Sequence, residues 1–145
     1  MKALALAVFF GGDHLVWADG AGLLGSKEAK EWAAAAGRLS LRGWCLASLC
    51  QLAADLAELR NMHAARAARA AGPAGAEAKA PSREALALRW ASASAAAGQA
   101  VVSAGLAGLV PLPPRTIGLF GVATSVVQLY ALLPALPVAK GGKAA

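Results

Sequence analysis

Trp90–Pro114, WASASAAAGQAVVSAGLAGLVPLPP, and Thr116–Ala139, TIGLFGVATSVVQLYALLPALPVA, are two uncharged stretches separated only by Arg115. Each exceeds the roughly 20 apolar residues that cross a bilayer as a helix. Between them Pro111-Leu112-Pro113-Pro114 cannot continue a helix and forces a reversal of the chain. The pair reads as a transmembrane helix hairpin, with spans at about 90–110 and 116–134. A hairpin buried inside a soluble helical bundle is the competing reading, because the first stretch is rich in Ala, Ser and Gly. The second, with its Leu, Val, Ile and Phe, is the firmer span.

The rest of the composition agrees with a membrane protein. Of 145 residues, 58% are hydrophobic and 15% charged, against roughly half and a quarter in soluble proteins. Alanine inflates the apolar share without being a strong membrane residue, so the placement of charge has to decide. Arg60, Arg66, Arg69, Lys79, Arg83 and Arg89 precede the hairpin and Lys140 and Lys143 follow it, whereas the turn holds Arg115 alone. The positive-inside rule then puts the basic segment and the C-terminus on the cytosolic side together. The net charge of +6 suits an anionic membrane surface. Nucleic acid would suit it too, but the aromatic residues are too few and scattered to form a base-stacking platform.

Small and polar residues recur at helical spacing on both spans: Ser92, Ala96, Gln99 and Ser103 on the first, Gly118, Gly121, Ser125 and Gln128 on the second. Such lines let helices approach closely in lipid, where no hydrophobic force drives them together. Gln99, Ser103, Gly118, Gly121, Ser125 and Gln128 are therefore the expected hairpin packing residues. Gln99 lies 14 residues before Pro113 and Gln128 14 after Pro114, so the two are expected at similar depth, hydrogen-bonded across the hairpin.

Upstream, SLRGWCLASLCQLAADLAELR (40–60) is helical. Cys45, Leu49, Leu52, Leu56 and Leu59 form an apolar seam, with Ser48, Gln51, Asp55 and Glu58 as a polar strip beside it. The seam suits packing on partner helices or the membrane interface, and Asp55 and Glu58 read as surface charges. Cys45 and Cys50 project about 140° apart on a helix, which disfavours a disulfide. Beyond Glu58, Arg60, His63, Arg66 and Arg69 are spaced by three, a strip fit to meet lipid phosphates or simply water. Arg60, Arg66, Arg69, Arg83 and Arg89 are the expected membrane or partner contacts. Residues 72–82, with Gly72, Pro73, Gly75 and Pro81, read as a flexible linker, after which Ser82 caps the next helix. The organisation is thus an N-terminal helical region (1–71), a linker (72–82) and a hairpin region (83–139), all-α throughout.

Met1-Lys2 before ALALAVFF imitates a secretory signal peptide, but the run is short, and Asp13, His14 and Trp17 precede any convincing small-residue cleavage site. No phosphate-binding glycine loop, nucleophile elbow or metal-binding helix motif is present. No catalytic, cofactor or metal residues are expected, and no enzyme.

Three blocks, in order, resemble the peroxisomal membrane protein 11 family: FFGGDHLVWADGAGLLG (9–25), GRLSLRGWCLASLCQLAADLAELR (37–60) and RTIGLFGVATSVVQLYALLP (115–134). The resemblance implies a multi-pass protein of the peroxisomal membrane with its C-terminus toward the cytosol, promoting membrane elongation, peroxisome fission and proliferation. It implies self-association into homo-oligomers, delivery by the import receptor for peroxisomal membrane proteins, and recruitment of fission adaptors and a dynamin-related GTPase. The family's membrane-bending amphipathic helix lies N-terminal to the region seen here, so most or all of it is expected to be missing. A pore for small metabolites, lined by Gln99, Ser103, Ser125 and Gln128, is the alternative function.

Overall fold

The computed structural model describes residues 2–71 and 81–132, and these are all helical apart from turns. Four helices follow one another: α1 (Lys2–Gly20), α2 (Lys27–Ala71), α3 (Arg83–Leu106) and α4 (Pro114–Leu132). Each packs only on its neighbours in sequence, α1 on α2, α2 on α3 and α3 on α4. Cross-contacts show that the direction alternates. Ala5 lies against Gly43, Asp55 meets Arg89, and Gly98 meets Thr124.

Local sequence sets the boundaries. Ser26 and Ser82 cap α2 and α3, their hydroxyls accepting from the backbone N–H of Ala29 (3.1 Å) and Ala85 (3.0 Å). Glu28 and Glu84 sit in the two first turns, where a negative charge favours the helix dipole. At the far ends α1 and α3 stop in the same way. Gly22 (φ 72°) and Gly108 (φ 68°) adopt the left-handed conformation, and Leu23 and Leu109 donate back five residues to Ala18 and Ala104, the Schellman pattern. The first stretch therefore leaves the helix at Leu106, before the prolines, and Pro114 opens α4, where a missing N–H costs nothing.

Two expected features need restating. Among the described residues no helix is long and apolar enough to cross a membrane. The hairpin of α3 and α4 exists as a hairpin, with the first helix running 83–106 rather than 90–110. The second span and the linker fall partly outside the described residues, at 133–134 and 72–80.

The packing is built from small residues. Ala33, Ala47, Ala93, Ala95, Ala96, Ala100, Ser40, Ser48 and Ser103 are buried, whereas Leu4, Trp17, Trp32, Val122, Leu129 and Tyr130 are exposed, Tyr130 to 75%. Leu59, Leu86 and Ala93, with Leu52 and Met62 beside them, form the one conventional apolar cluster among the described residues. Close approach explains the preference for small side chains. A Cβ on Gly12 would stand 2.6 Å from the Ala36 carbonyl oxygen, and one on Gly43 2.9 Å from that of Ala5. Across the same contact the Ser40 hydroxyl donates to the Phe9 carbonyl at 2.8 Å.

Gly12→Ala is expected to destabilise the α1–α2 contact by about 1–3 kcal/mol, since backbone rather than a flexible side chain must yield. Gly11→Ala is the control, because nothing lies within 4 Å of that Cβ. Urea unfolding of the micelle-solubilised chain followed by circular dichroism measures both, and equal effects would refute the close contact.

Candidate functional site

The centre of the bundle is polar. Asp55 on α2 is fully buried, at 0% exposure. One of its carboxylate oxygens accepts from the Arg89 guanidinium at 2.8 Å and the Gln51 amide at 2.9 Å, the other from the Ser92 hydroxyl at 2.7 Å. A second Arg89 nitrogen pairs with Glu58 at 2.7 Å, and the Lys2 ammonium donates to the Gln51 carbonyl oxygen. The network ties α1, α2 and α3 together.

Asp55 and Glu58 are thus not alike: Glu58 is exposed, and Asp55 is a buried anchor rather than a surface charge. The polar strip of α2 turns inward, with Ser48 and Asp55 buried, while Leu49 and Leu56 of the apolar seam are exposed. Cys45, at the head of the seam, is buried against the Ala100 carbonyl, and both cysteines are free. Arg89, expected to contact membrane or partner, pairs with Asp55 and Glu58 in this network and stays one-third exposed. The signal in sequence was the match of Gln51, Asp55 and Glu58, four and three residues apart, with Arg89 and Ser92, three apart. Each set occupies one helix face.

Burying the Asp55 carboxylate is costly, and the bonds from Arg89, Gln51 and Ser92 offset that cost by engaging both of its oxygens.

A crevice of about 490 Å³ opens beside the network, with all four helices contributing. Lys2 and Leu6 come from α1, Trp44 and Gln51 from α2, Ser92 and Gln99 from α3, Val127 and Gln128 from α4. Gln99 and Gln128 share this lining, but among the described residues no hydrogen bond joins them.

The α3–α4 contact runs through other residues. A Cβ on Gly98 would overlap the Thr124 methyl at 2.2 Å, and one on Gly105 would meet Ile117 at 2.9 Å. Ser103 is fully buried, its hydroxyl bonded to the Gln99 carbonyl of its own helix at 2.7 Å. Positions 118 and 121 have nothing within 4 Å of a Cβ, and the exposed Ser125 bonds back to Gly121 at 2.8 Å. The glycines that meet the partner belong to α3: Thr124, one residue from Ser125, fills Gly98, and Ile117 fills Gly105.

Arg60, Arg66 and Arg69 lie on the last turns of α2, and Arg83 opens α3. Because the helices alternate in direction, these arginines lie toward one end of the bundle, and Lys2 and the last turn of α4 run toward it but stop level with Gln51 and Ser92. Arg115, beside the tight α3–α4 turn, lies toward the other, as do Lys27, Lys30, Arg38 and Arg42 of α2.

The bundle thus holds small and polar residues inside, exposes large apolar residues and carries arginines toward one end. The family model of peroxisomal biogenesis factor 11 (PEX11) matches residues 1–133, and the chain belongs to that family. It is 30% identical over 151 residues to peroxisomal membrane protein 11D of Arabidopsis thaliana, covering 96% of this chain and 61% of that protein. Peroxisomal membrane proteins 11E and 11C of the same plant are 29% and 30% identical, with 60% and 61% of their lengths covered. The chain thus spans about three fifths of these relatives. No solved structure matches it.

Proposed function

We propose that this chain is a multi-pass scaffold of the peroxisomal membrane that promotes membrane elongation, peroxisome fission and proliferation, with no catalytic step of its own. The observation that carries the reading is the inverted packing in a member of this family. Leu119, at 72% exposed, with Val122, Val126, Leu129 and Tyr130 along α4, faces outward, while Ala, Ser and Asp55 face inward. In water that arrangement forfeits about 1.5–3 kcal/mol per large apolar side chain left unburied. In acyl chains it costs nothing.

Mean hydropathy along a helix averages the inner Ser, Gln and Ala with the outer Leu and Val, and only the outer set meets lipid. The hairpin of α3 and α4 can therefore insert as a pair although neither helix is apolar enough alone. The shared basic end of α2 and α3, toward which α4 runs, faces the cytosol in this reading. Insertion of helices into one leaflet expands it and favours curvature, and the outward apolar faces let copies assemble. The fission adaptors, the dynamin-related GTPase and the import receptor are the partners we assign to the exposed basic end.

Imaging the fluorescently tagged chain beside a peroxisomal marker tests the function. Elongated or more numerous peroxisomes carrying the tag are expected, and signal confined to another compartment would refute it. The metabolite-pore reading draws on Gln99 and Gln128 lining one crevice. Conductance in planar bilayers that is lost in a Gln99→Leu, Gln128→Leu variant would favour it over the scaffold.

A further inference from the structure

We propose that the crevice between α1 and α4 is a binding site for one anionic amphiphile, a carboxylate or phosphate head on an apolar chain. α1 and α4 flank the opening, with no Cα of one within 8 Å of a Cα of the other, so a ligand enters sideways between helices that do not pack closely. Among the described residues, Lys2 is the only charged side chain in the lining. The nearest carboxylate, Asp55, is fully buried with both oxygens engaged by Gln51, Arg89 and Ser92, and Glu58 is held by Arg89. Lys2 and Arg89 together balance Asp55 and Glu58, and since both carboxylates are already engaged by Arg89, the Lys2 ammonium is the charge left facing a ligand, which favours an anionic head.

The rest of the lining fixes the ligand class further. Gln51 takes one hydrogen of the Lys2 ammonium, and an ammonium has three to give. Among the described residues, no hydrogen bond occupies the Gln99 and Gln128 carboxamides. A carboxylate or phosphate can accept from Lys2 and from such carboxamides, whereas a wholly apolar ligand uses none of these donors. Leu6, Val127 and the Trp44 ring, itself braced by Phe9 at 5.5 Å between ring centroids, supply the surface for the chain. The volume lies within the range of small-molecule sites, roughly 300–1,000 Å³. This site stands on charge and crevice geometry alone, and it is read in micelles whether or not the chain shapes membranes.

The test uses the full chain with Trp17, Trp32 and Trp90 replaced by Phe, leaving Trp44 as the sole indole. In neutral detergent micelles it is titrated with brominated stearic acid. In a second arm it is placed in neutral-lipid nanodiscs containing brominated phosphatidic acid. Saturable quenching of Trp44 in either arm supports the site, and the arm that saturates at lower concentration identifies a free or a bilayer-borne ligand. Lys2→Gln should weaken it about tenfold, the loss of one charge-assisted contact, and Lys2→Arg should retain it. Helical content by circular dichroism confirms that each variant is folded. Non-saturable quenching in both arms, equal quenching by brominated stearyl alcohol, or undiminished affinity in folded Lys2→Gln would overturn the proposal.

Discussion

Arg89→Ala is expected to destabilise the bundle by about 3–5 kcal/mol, because it strands the buried Asp55 carboxylate without its cation. Arg89 is itself a third exposed, so the lower half of that range is the better guide. Asp55 keeps Gln51 and Ser92 after the change, but two neutral donors do not neutralise a charge in a dry site. The double variant Asp55→Leu, Arg89→Leu should recover most of the loss, since replacing both partners removes the need for either. Denaturant unfolding in micelles, followed by circular dichroism, measures all three chains. A single-variant loss below about 1 kcal/mol would place the pair among solvent-screened surface contacts, and the network would then not be what joins α2 to α3.

Neutralising Arg60, Arg66, Arg69 and Arg83 to Gln should weaken binding to anionic vesicles by a factor on the order of several hundred. Each basic residue near such a surface contributes about 1 kcal/mol, and 1.4 kcal/mol is a factor of ten. All four lie at the shared end of α2 and α3, so one bilayer surface can meet them together. The effect should shrink as salt is raised, because the Debye length falls from about 10 Å at 0.1 M to about 3 Å at 1 M. Binding to neutral vesicles should change little, since there the apolar surface acts alone. Vesicle flotation across a salt series reads both. Equal loss on neutral and anionic vesicles would mean that the arginines hold the fold and not the membrane.

Much of this architecture is legible in the sequence, and the reasons for the remainder are physical. Ser82 as a cap, the hairpin and the helical run through residues 40–60 follow from local chemistry that depends on few neighbours. The end of α3 at Leu106 was hidden because proline is the louder signal, while Gly108 at φ 68° stops the helix first. The inward turn of Asp55 was missed because apolar periodicity presumes water outside. In this chain Leu49 and Leu56 of the seam face out and Ser48 and Asp55 of the polar strip face in, while Cys45 and Leu59 of the same seam are buried. The regular spacing of Ser92, Ala96, Gln99 and Ser103 marks a face beside Gly98 and Gly105, and it is these glycines that meet α4. Which of two adjacent helix faces meets a partner depends on crossing geometry that spacing alone does not carry.

The central claim, that the inverted bundle resides within the peroxisomal membrane, is tested most directly by alkaline carbonate extraction of purified peroxisomes carrying the chain. Retention in the membrane pellet beside an integral marker is the predicted result. Release into the supernatant with the peripheral proteins would contradict the account, leaving the exposed Leu, Val and Tyr side chains of α4 to be covered by protein instead of lipid.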